Sequence, residues 1–137
     1  MKVKEIMTKN VFSVSPEDKV QSAAEVMGKH NIGSVPVCEG EKIMGILTDR
    51  DIALRSVSTG ENINMQKVRE IMSSNPVFGT PDMDVSEASK IMSDRQIRRL
   101  PIVENNNLVG IISLGDIAVE PTFSNKAGET LTDISMP

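Results

Sequence analysis

The sequence predicts a mixed α/β (α+β) protein made of two similar units, each with the order strand, helix, strand, strand, helix. The main observation is an internal repeat: residues 45–53 (GILTDRDIA) return as residues 110–118 (GIISLGDIA). The same shift of 65 residues holds without a gap from residue 3 to residue 119. A repeat that keeps its register over most of a chain indicates a tandem architecture.

The size and composition support one folding unit built from both copies. The chain has 137 residues, of which 39% are hydrophobic and 25% are charged, as in ordinary globular proteins. One copy of about 50 residues is marginal as an independent fold. We therefore expect the two copies to pack on each other.

The charge and the aromatic content argue against nucleic acid as a partner. The net charge is −4, and the chain has three Phe but neither Trp nor Tyr. Binding to nucleic acid needs a basic surface, and single strands also need aromatic stacking platforms. The one basic cluster, Arg95, Arg98 and Arg99, suits one small anion.

Compartment signals favour a cytoplasmic protein. The N-terminus has no apolar run that fits a signal peptide, and no segment has the length and hydropathy of a membrane span. The single cysteine, Cys38, excludes an internal disulfide framework.

In the first copy, a short lead-in segment (residues 3–7) precedes a predicted strand at residues 11–14. A helix is predicted to begin with Ser15 as N-cap and Pro16 at the first helical position, and to end at residues 28–31. Apolar residues at helical spacing give it one buried stripe: Val20, Ala23, Ala24 and Met27.

Two strands and a short helix complete the copy. Residues 34–38 form the first strand, whose Pro36 places it at an edge or a strand start. After a turn, residues 43–47 form a nearly all-apolar strand, predicted to be buried on both faces. A short helix follows from about residue 49 to residue 55.

The second copy repeats this order. It has a strand at residues 76–78, a helix opened by Thr80, Pro81 and Asp82, strands at 100–103 and 108–112, and a helix from Leu114. The predicted organisation is unit 1 at residues 1–56, a linker at 57–66, unit 2 at 67–120 and a tail at 121–137. The tail has helical spacing but is too short to fold alone, so it docks or frays.

Each copy places a hydroxyl residue three positions before an aspartate, as Thr48-x-x-Asp51 and Ser113-x-x-Asp116. A hydroxyl N-cap with an acid at the third helical position is a capping box, which needs no ligand. The same atoms also suit a nucleotide, because a helix start attracts phosphate and a carboxylate accepts hydrogen bonds from both ribose hydroxyls. Both interpretations stay open on the residues alone.

Four repeated features together resemble a tandem pair of CBS domains (cystathionine-β-synthase-type domains). They are the Glu-Ile-Met lead-in, the Ser/Thr-Pro helix start, the Ile-x-x-(Val/Leu)-Pro-(Val/Ile) strand and the Gly-Ile-(Leu/Ile)-(Thr/Ser)-x-x-Asp-Ile end. The resemblance covers residues 3–119, and the chain resembles the stand-alone CBS pairs of bacteria and archaea. It implies two units related by a pseudo-twofold axis and packed through their sheets, with two clefts for adenosine-containing ligands. It also implies that two chains associate as a disc-like homodimer.

The resemblance also implies the site residues. The hydroxyls of Thr48 and Ser113 would meet phosphate, and Asp51 and Asp116 would meet ribose. Adenine would lie against the unit starts and the segments before the strand prolines, each mostly from the copy opposite the ribose aspartate. These are Val11 and Phe12 or Val77 and Phe78, with Ile32, Gly33, Ser34 and Val35 beside Ser113 and Asp116, and Ile97, Arg98, Arg99 and Leu100 beside Thr48 and Asp51.

Arginines supply the remaining phosphate candidates. Arg98 and Arg99 rank first because a guanidinium pairs with phosphate through two hydrogen bonds, and Arg50 ranks next. Solvated arginines or salt bridges are the alternative. The first copy has Gly33 and Ser34 where the second has Arg98 and Arg99, so the two sites are chemically unequal.

No other residue pattern predicts chemistry. His30, the only histidine, is expected to cap a carbonyl at a helix end, and Cys38 is expected to be a buried structural residue. No catalytic or metal-binding motif is present, so we predict neither catalysis nor a required cofactor. The predicted function is a regulatory module that senses an adenine nucleotide (AMP, ADP or ATP) or S-adenosylmethionine and acts on an unknown regulated protein. The alternative is a dimerisation or interaction module without a nucleotide ligand.

Overall fold

The computed structural model describes residues 1–74 and 76–137, so Asn75, the counterpart of Asn10 in the repeat, lies outside the described residues. The chain forms two compact units. The continuous unit is Phe12–Pro76, and the split unit combines Met1–Val11 with Val77–Pro137. The units therefore do not follow the repeat, because each lead-in segment joins the body of the other copy.

The continuous unit contains helix α1 (Val20–His30), strands β1 (Ser34–Glu39) and β2 (Lys42–Thr48), and helix α2 (Asp49–Ile52). A π-helical turn, Ala53–Val57, prolongs α2, and a 3-10 turn, Val68–Glu70, precedes the two-residue strand β3 (Ser73–Ser74). Both β1 and β3 pair antiparallel with β2.

The split unit repeats the order helix, strand, strand, helix, but its lead-in comes first in the sequence. A 3-10 turn (Val3–Glu5) is followed, after residue 76, by helix α3 (Val85–Arg95), strands β4 (Arg99–Glu104) and β5 (Asn107–Ser113), and helix α4 (Leu114–Ala118). β4 and β5 pair antiparallel with the register of the first hairpin. A last 3-10 turn, Pro121–Phe123, leads into helix α5 (Ser124–Ser135). The predicted mixed α/β (α+β) class is confirmed.

The lead-in segments are fixed by backbone hydrogen bonds. In the split unit, the Thr8 N–H donates to the Ile111 carbonyl at 2.8 Å, and the Ile111 N–H donates back to Thr8 at 2.9 Å. In the continuous unit, β3 pairs with β2 at Gly45↔Ser74 and Ile46↔Ser73. Each lead-in therefore lies on the strand that ends in the hydroxyl-x-x-Asp motif.

The repeated glycine of that strand is required by the close approach of the lead-in segment. A Cβ at Gly110 would lie 2.6 Å from Met7 Sδ and 2.9 Å from the Thr8 carbonyl oxygen. A Cβ at Gly45 would lie 2.6 Å from the Ser73 carbonyl oxygen. No side chain fits at such distances, so glycine marks the crossing point in both copies.

Each unit has its own apolar core. Met27 and Met92 are both buried, which confirms the prediction from helical spacing. The continuous core consists of Val14, Val20, Ala23, Met27, Val35, Val37, Leu47, Val68 and Ile71. The split core consists of Val3, Val85, Ala88, Met92, Leu100, Ile102, Ile112, Ile117 and Ala127.

The first predicted strand of each copy is wrong. Of residues 11–14, only Val14 makes a ladder contact, an isolated parallel bridge to Val37. In the second copy the corresponding bridge joins Gly79 to Ile102, beyond the predicted strand at 76–78. A single bridge pairs one residue and does not form a strand.

The predicted helix starts are also too early. α1 begins at Val20, and Ser15 instead caps a separate turn in which the Glu17 N–H donates to its hydroxyl at 3.2 Å. The carbonyls of Pro16 and Asp18 accept hydrogen bonds from the amides of residues 69 and 68, at 3.0 and 2.8 Å, and are not used by helical amides.

The second copy shows the same shift in its helix. α3 begins at Val85, and its N-cap is Asp84, whose carboxylate accepts from the Ser86 N–H at 2.8 Å. The carbonyls of Pro81 and Met83 accept from the amides of Lys4 and Val3, at 3.0 and 2.8 Å.

The apolar strand β2 is less buried than predicted. Only Gly45 and Leu47 are buried in it, and the remaining residues are half-buried or exposed. The short predicted helix after β2 is present, but its last turn is π-helical rather than α-helical.

The C-terminal tail docks on the split unit. α5 buries Ala127 and Thr130 and packs against α3 and α4. The Gln96 side chain donates from Nε2 to the carbonyls of Asp133 and Met136, at 3.2 and 2.8 Å. Of the two outcomes left open for the tail, docking is the one observed.

We expect Gly110→Ala to lower the free energy of unfolding by about 1–3 kcal/mol, the usual cost of inserting atoms into a packed site. The Thr8 carbonyl belongs to a hydrogen-bonded backbone and cannot rotate away as a side chain can. The midpoint of urea unfolding, followed by circular dichroism, measures this change.

The matched control is Gly128→Ala in α5. Among the described residues, no heavy atom outside the helix's own backbone lies within 4 Å of the added Cβ. Alanine is favoured over glycine inside a helix by up to about 1 kcal/mol, so this variant is expected to be as stable as the parent or more so. Equal midpoints for both variants would contradict the steric explanation.

Candidate functional site

Both hydroxyl-x-x-Asp motifs form complete capping boxes. At α2, the Thr48 N–H donates to Asp51 Oδ2 at 3.0 Å, and the Asp51 N–H donates to Thr48 Oγ1 at 3.1 Å. At α4, the Ser113 N–H donates to Asp116 Oδ2 at 2.9 Å, and the Asp116 N–H donates to Ser113 Oγ at 3.0 Å. The capping box is therefore present in both copies, and the ligand-binding interpretation of the same residues stays a prediction.

The boxes leave part of each side chain available. Each uses one carboxylate oxygen and an acceptor position of the hydroxyl, so the hydroxyl proton and Oδ1 are not consumed by the box. Asp51 Oδ1 lies 3.9 Å from Arg55 Nε, while Asp116 makes no ion pair within the described residues. The capping boxes therefore leave Oδ1 of each aspartate without a backbone hydrogen bond from the described residues.

The first amides of the two helices differ in their partners. At both helices the first amide donates to the segment before the hairpin: Asp49 N–H to the Gly33 carbonyl and Leu114 N–H to the Arg98 carbonyl, both at 2.9 Å. The second amide of α2, on Arg50, is bound by the Asp49 carboxylate at 2.8 Å. The second amide of α4, on Gly115, has no partner in the part of the chain that the structure describes.

The sheet register places an arginine at the α4 end. Arg99 is the cross-strand partner of Ser113, and the equivalent pair in the continuous unit is Ser34 and Thr48. Directly opposed residues of antiparallel strands project on the same face. Arg98 and Arg99 are exposed and form no ion pair with any described residue, so salt bridges do not account for them. The α4 end therefore combines a hydroxyl, a free amide and basic residues within one unit.

The predicted adenine contacts fall into two groups. Val35 and Leu100 are fully buried in the cores of their own units, and Ile32 and Ile97 pack against those cores. Phe12 and Phe78 remain 49% and 46% exposed, next to the half-buried Val11 and Val77. Val35 and Leu100 therefore offer no side-chain surface to a ligand, and the largest exposed apolar surface among these residues belongs to Phe12 and Phe78. The assignment of these segments to one aspartate or the other stays a prediction.

His30 does not have the predicted carbonyl-capping role. Its ring stacks on Phe12, with 3.6 Å between the ring centroids and 15° between the planes, and it donates no hydrogen bond to the described residues. α1 instead ends with Asn31 in the left-handed conformation, whose amide bonds the Gly28 carbonyl. The Phe12 surface is thus already covered on one side by an aromatic ring.

The sequence did not single out Asp49 and Gly115. Asp49 is the first residue after the hydroxyl in the first copy, and Gly115 is the second residue after the hydroxyl in the second copy. The motif accepts any residue at both positions. The available signal was the exchange of Asp49 for Leu114 between the copies, next to a candidate phosphate site. Arg50, which was singled out, is exposed.

The remaining candidate chemistry is limited. Cys38 is buried, as predicted, and burial raises the pKa of its thiol, which a hydrogen bond from the Ser13 side chain only partly opposes. Across residues 1–74 and 76–137 no three His, Cys, Asp or Glu side chains are grouped to hold a metal ion. None of the described helices has both the length and the hydropathy to cross a membrane.

A duplicated α/β unit, each copy ending in a hydroxyl-x-x-Asp helix cap, defines a tandem-repeat module rather than two unrelated domains. The family model of the CBS domain matches residues 3–58 and again residues 68–120. The chain therefore belongs to the CBS-domain family as a CBS pair, a regulatory module.

Similar proteins support the assignment. The CBS domain-containing protein YhcV of Bacillus subtilis is 49% identical over 133 residues, which are 97% of this chain and 94% of that protein. Hypoxic response protein 1 of Mycobacterium tuberculosis is 30% identical over 84% of this chain and 81% of its own length. A crystal structure of Hypoxic Response Protein I with two coordinated zinc ions superposes with a TM-score of 0.81 at 29% identity, over 88% of this chain and 98% of that one.

A second similar structure was solved with ligands. The CBS domain pair of protein MJ0100, in complex with 5′-methylthioadenosine and S-adenosyl-L-methionine, has a TM-score of 0.77 and 30% identity. The match covers 92% of this chain and 98% of that chain.

We expect Ser113→Ala to lower the free energy of unfolding by about 1 kcal/mol, because it removes the acceptor of the Asp116 N–H at the α4 cap. Ser113→Thr keeps that acceptor and is expected to stay close to the parent. Urea unfolding of the three proteins measures the difference. If alanine and threonine gave the same stability, the cap would not stabilise the fold.

The Cys38 thiol is expected to react slowly with a disulfide reagent such as 5,5′-dithiobis(2-nitrobenzoate) at pH 8. Only the thiolate reacts, and a raised pKa together with burial keeps the thiol protonated and inaccessible. Absorbance at pH 8, with and without urea, measures the rate. A native rate equal to the rate in urea would contradict the buried placement.

Proposed function

We propose that this CBS pair is a cytoplasmic regulatory module that binds an adenosine-containing nucleotide at its two hydroxyl-x-x-Asp ends. The observation that carries the proposal is the division of atoms in each capping box: Oδ2 of the aspartate holds the backbone, while Oδ1 points to no backbone partner. A ribose presents two adjacent hydroxyls, and a free carboxylate oxygen accepts both.

The split unit has the stronger complement for a phosphorylated ligand. The Ser113 hydroxyl, the Gly115 amide and the unpaired Arg99 lie at one end of one hairpin. Guanidinium groups and free amides are the usual phosphate donors in proteins. The complex of MJ0100 with two adenosine compounds supports adenosine as the shared part of the ligand.

Binding would act on other proteins through geometry. A ligand shifts a conformational equilibrium only by its difference in affinity for the two arrangements. We propose that the arrangement concerned is a homodimer of this chain, which communicates occupancy to a regulated protein. In the alternative, the protein is an interaction module in which the capping boxes only stabilise the helices and no nucleotide binds.

The test is isothermal titration calorimetry of the purified protein with AMP, ADP, ATP, NAD and S-adenosylmethionine, each in turn. For a ligand that binds, we expect Asp116→Asn to weaken binding at the α4 end by about 10- to 100-fold. Asparagine still accepts the Ser113 N–H through its carbonyl, but its amide group cannot accept a ribose hydroxyl, and a hydrogen bond to a charged group contributes about 1.5–3 kcal/mol.

Asp133→Asn is the matched control, because it removes the same charge from an exposed residue of α5. Equal affinities of both variants would reject the site at Asp116. If none of these ligands bound to the unchanged protein, the interaction module would be favoured. Turnover of ATP or AMP by the purified protein would favour an enzyme. Sedimentation equilibrium with and without ligand tests the homodimer.

A further inference from the structure

The first helical residue differs in charge between the two copies. Asp49 begins α2, and the repeat places Leu114 at the same position of α4. The Asp49 carboxylate is not directed away from the helix: Oδ1 accepts the Arg50 N–H at 2.8 Å. Its Oδ2 lies 3.1 Å from the position that a Cβ would take on Gly33.

The exposed Asp49 carboxylate therefore lies at the start of α2, with one oxygen on the Arg50 amide and the other next to Gly33. It consumes the amide that is free at the equivalent Gly115, and it lies against the segment that precedes β1. Within the described residues Asp49 forms no ion pair, and neither does its neighbour Arg50, so no adjacent cation neutralises the charge. In the split unit the corresponding place has an apolar side chain and, across the hairpin, Arg99.

A phosphate at the α2 end would meet the negative charge of Asp49 at the place where the α4 end offers the Gly115 amide. Like charges a few ångströms apart repel, most strongly where water is partly excluded. A ligand with a neutral or positively charged 5′ substituent does not meet this repulsion, and a cationic one is attracted. The ribose acceptor, Asp51, is retained at this end.

We propose that Asp49 is a specificity-determining residue, which makes the Thr48–Asp51 end select adenosine compounds without a phosphate. The Ser113–Asp116 end then accepts phosphorylated ones. This inference rests on the proposed adenosine-binding function and assigns a different ligand class to each end. The two copies therefore recognise different chemical groups attached to the same nucleoside.

The test measures adenosine and AMP by calorimetry in the Asp116→Asn protein, where the α2 end alone keeps its ribose carboxylate. Adenosine is expected to bind at least about 10-fold more tightly than AMP. Adding Asp49→Asn removes the charge and keeps an acceptor for the Arg50 N–H, so AMP affinity is expected to rise about 10-fold with little change for adenosine. High salt is expected to reduce this difference between the two ligands.

The reciprocal change uses the Asp51→Asn protein, where the α4 end keeps its ribose carboxylate. Leu114→Asp is expected to lower AMP affinity about 10-fold and to leave adenosine unchanged, whereas Leu114→Asn, the uncharged control, has a smaller effect. Circular dichroism and urea unfolding confirm that each variant is folded at the titration temperature.

Three outcomes would overturn the inference. The first is that AMP binds as tightly as adenosine at the α2 end. The second is that Asp49→Asn changes the affinities for adenosine and AMP equally. The third is that the Asp116→Asn protein binds neither ligand although the parent binds one. If the parent protein itself binds neither adenosine nor AMP, the proposed function fails first, and this inference fails with it.

Discussion

The close approach of a lead-in backbone to the strand before each hydroxyl-x-x-Asp motif is the contact on which both units depend. Next to Gly110, Thr8 of the lead-in and Ile111 of the strand each donate a backbone N–H to the other's carbonyl, and this approach leaves no room for a side chain at Gly110. This contact places Val3 in the core of the split unit and Val68 in the core of the continuous unit. The hairpin is thereby anchored to the lead-in segment, and the hydroxyl-x-x-Asp motif lies at the end of the anchored strand.

Capping and ligand binding are compatible because the aspartate side chain has two oxygens. The backbone of Thr48 or Ser113 holds one of them, and this hydrogen bond fixes the orientation of the carboxylate. A ligand that uses the other oxygen finds it already oriented, so little conformational entropy is lost on binding. The aspartate therefore holds the helix cap through Oδ2 and leaves Oδ1 available to the ligand that we propose.

The sequence was sufficient where the determining interactions are local or repeated. The hairpins, the motif caps and the buried positions of Met27 and Met92 follow from the repeat, the turn residues and the helical spacing. The start of α1 could not be predicted, because the carbonyls of Pro16 and Asp18 accept amides from residues far along the chain.

Within the candidate site, the spacing identified the hydroxyls and aspartates of both capping boxes. The hydrogen bond from the Arg50 amide to the Asp49 carboxylate could not be predicted, since it depends on the local backbone geometry. The same applies to His30, whose stacking partner Phe12 is 18 residues earlier in the sequence.

The division of the split unit has a consequence for the order in which the protein is made. Synthesis proceeds from the N-terminus to the C-terminus, so Met1–Val11 leaves the ribosome before Phe12–Pro76, and its partners in Val77–Pro137 leave it afterwards. Phe12–Pro76 is contiguous, so all its residues are available before those of Val77–Pro137. Met1–Val11 therefore has no partners of its own unit while the continuous unit is made, and the split unit is complete only after α5 has been synthesised.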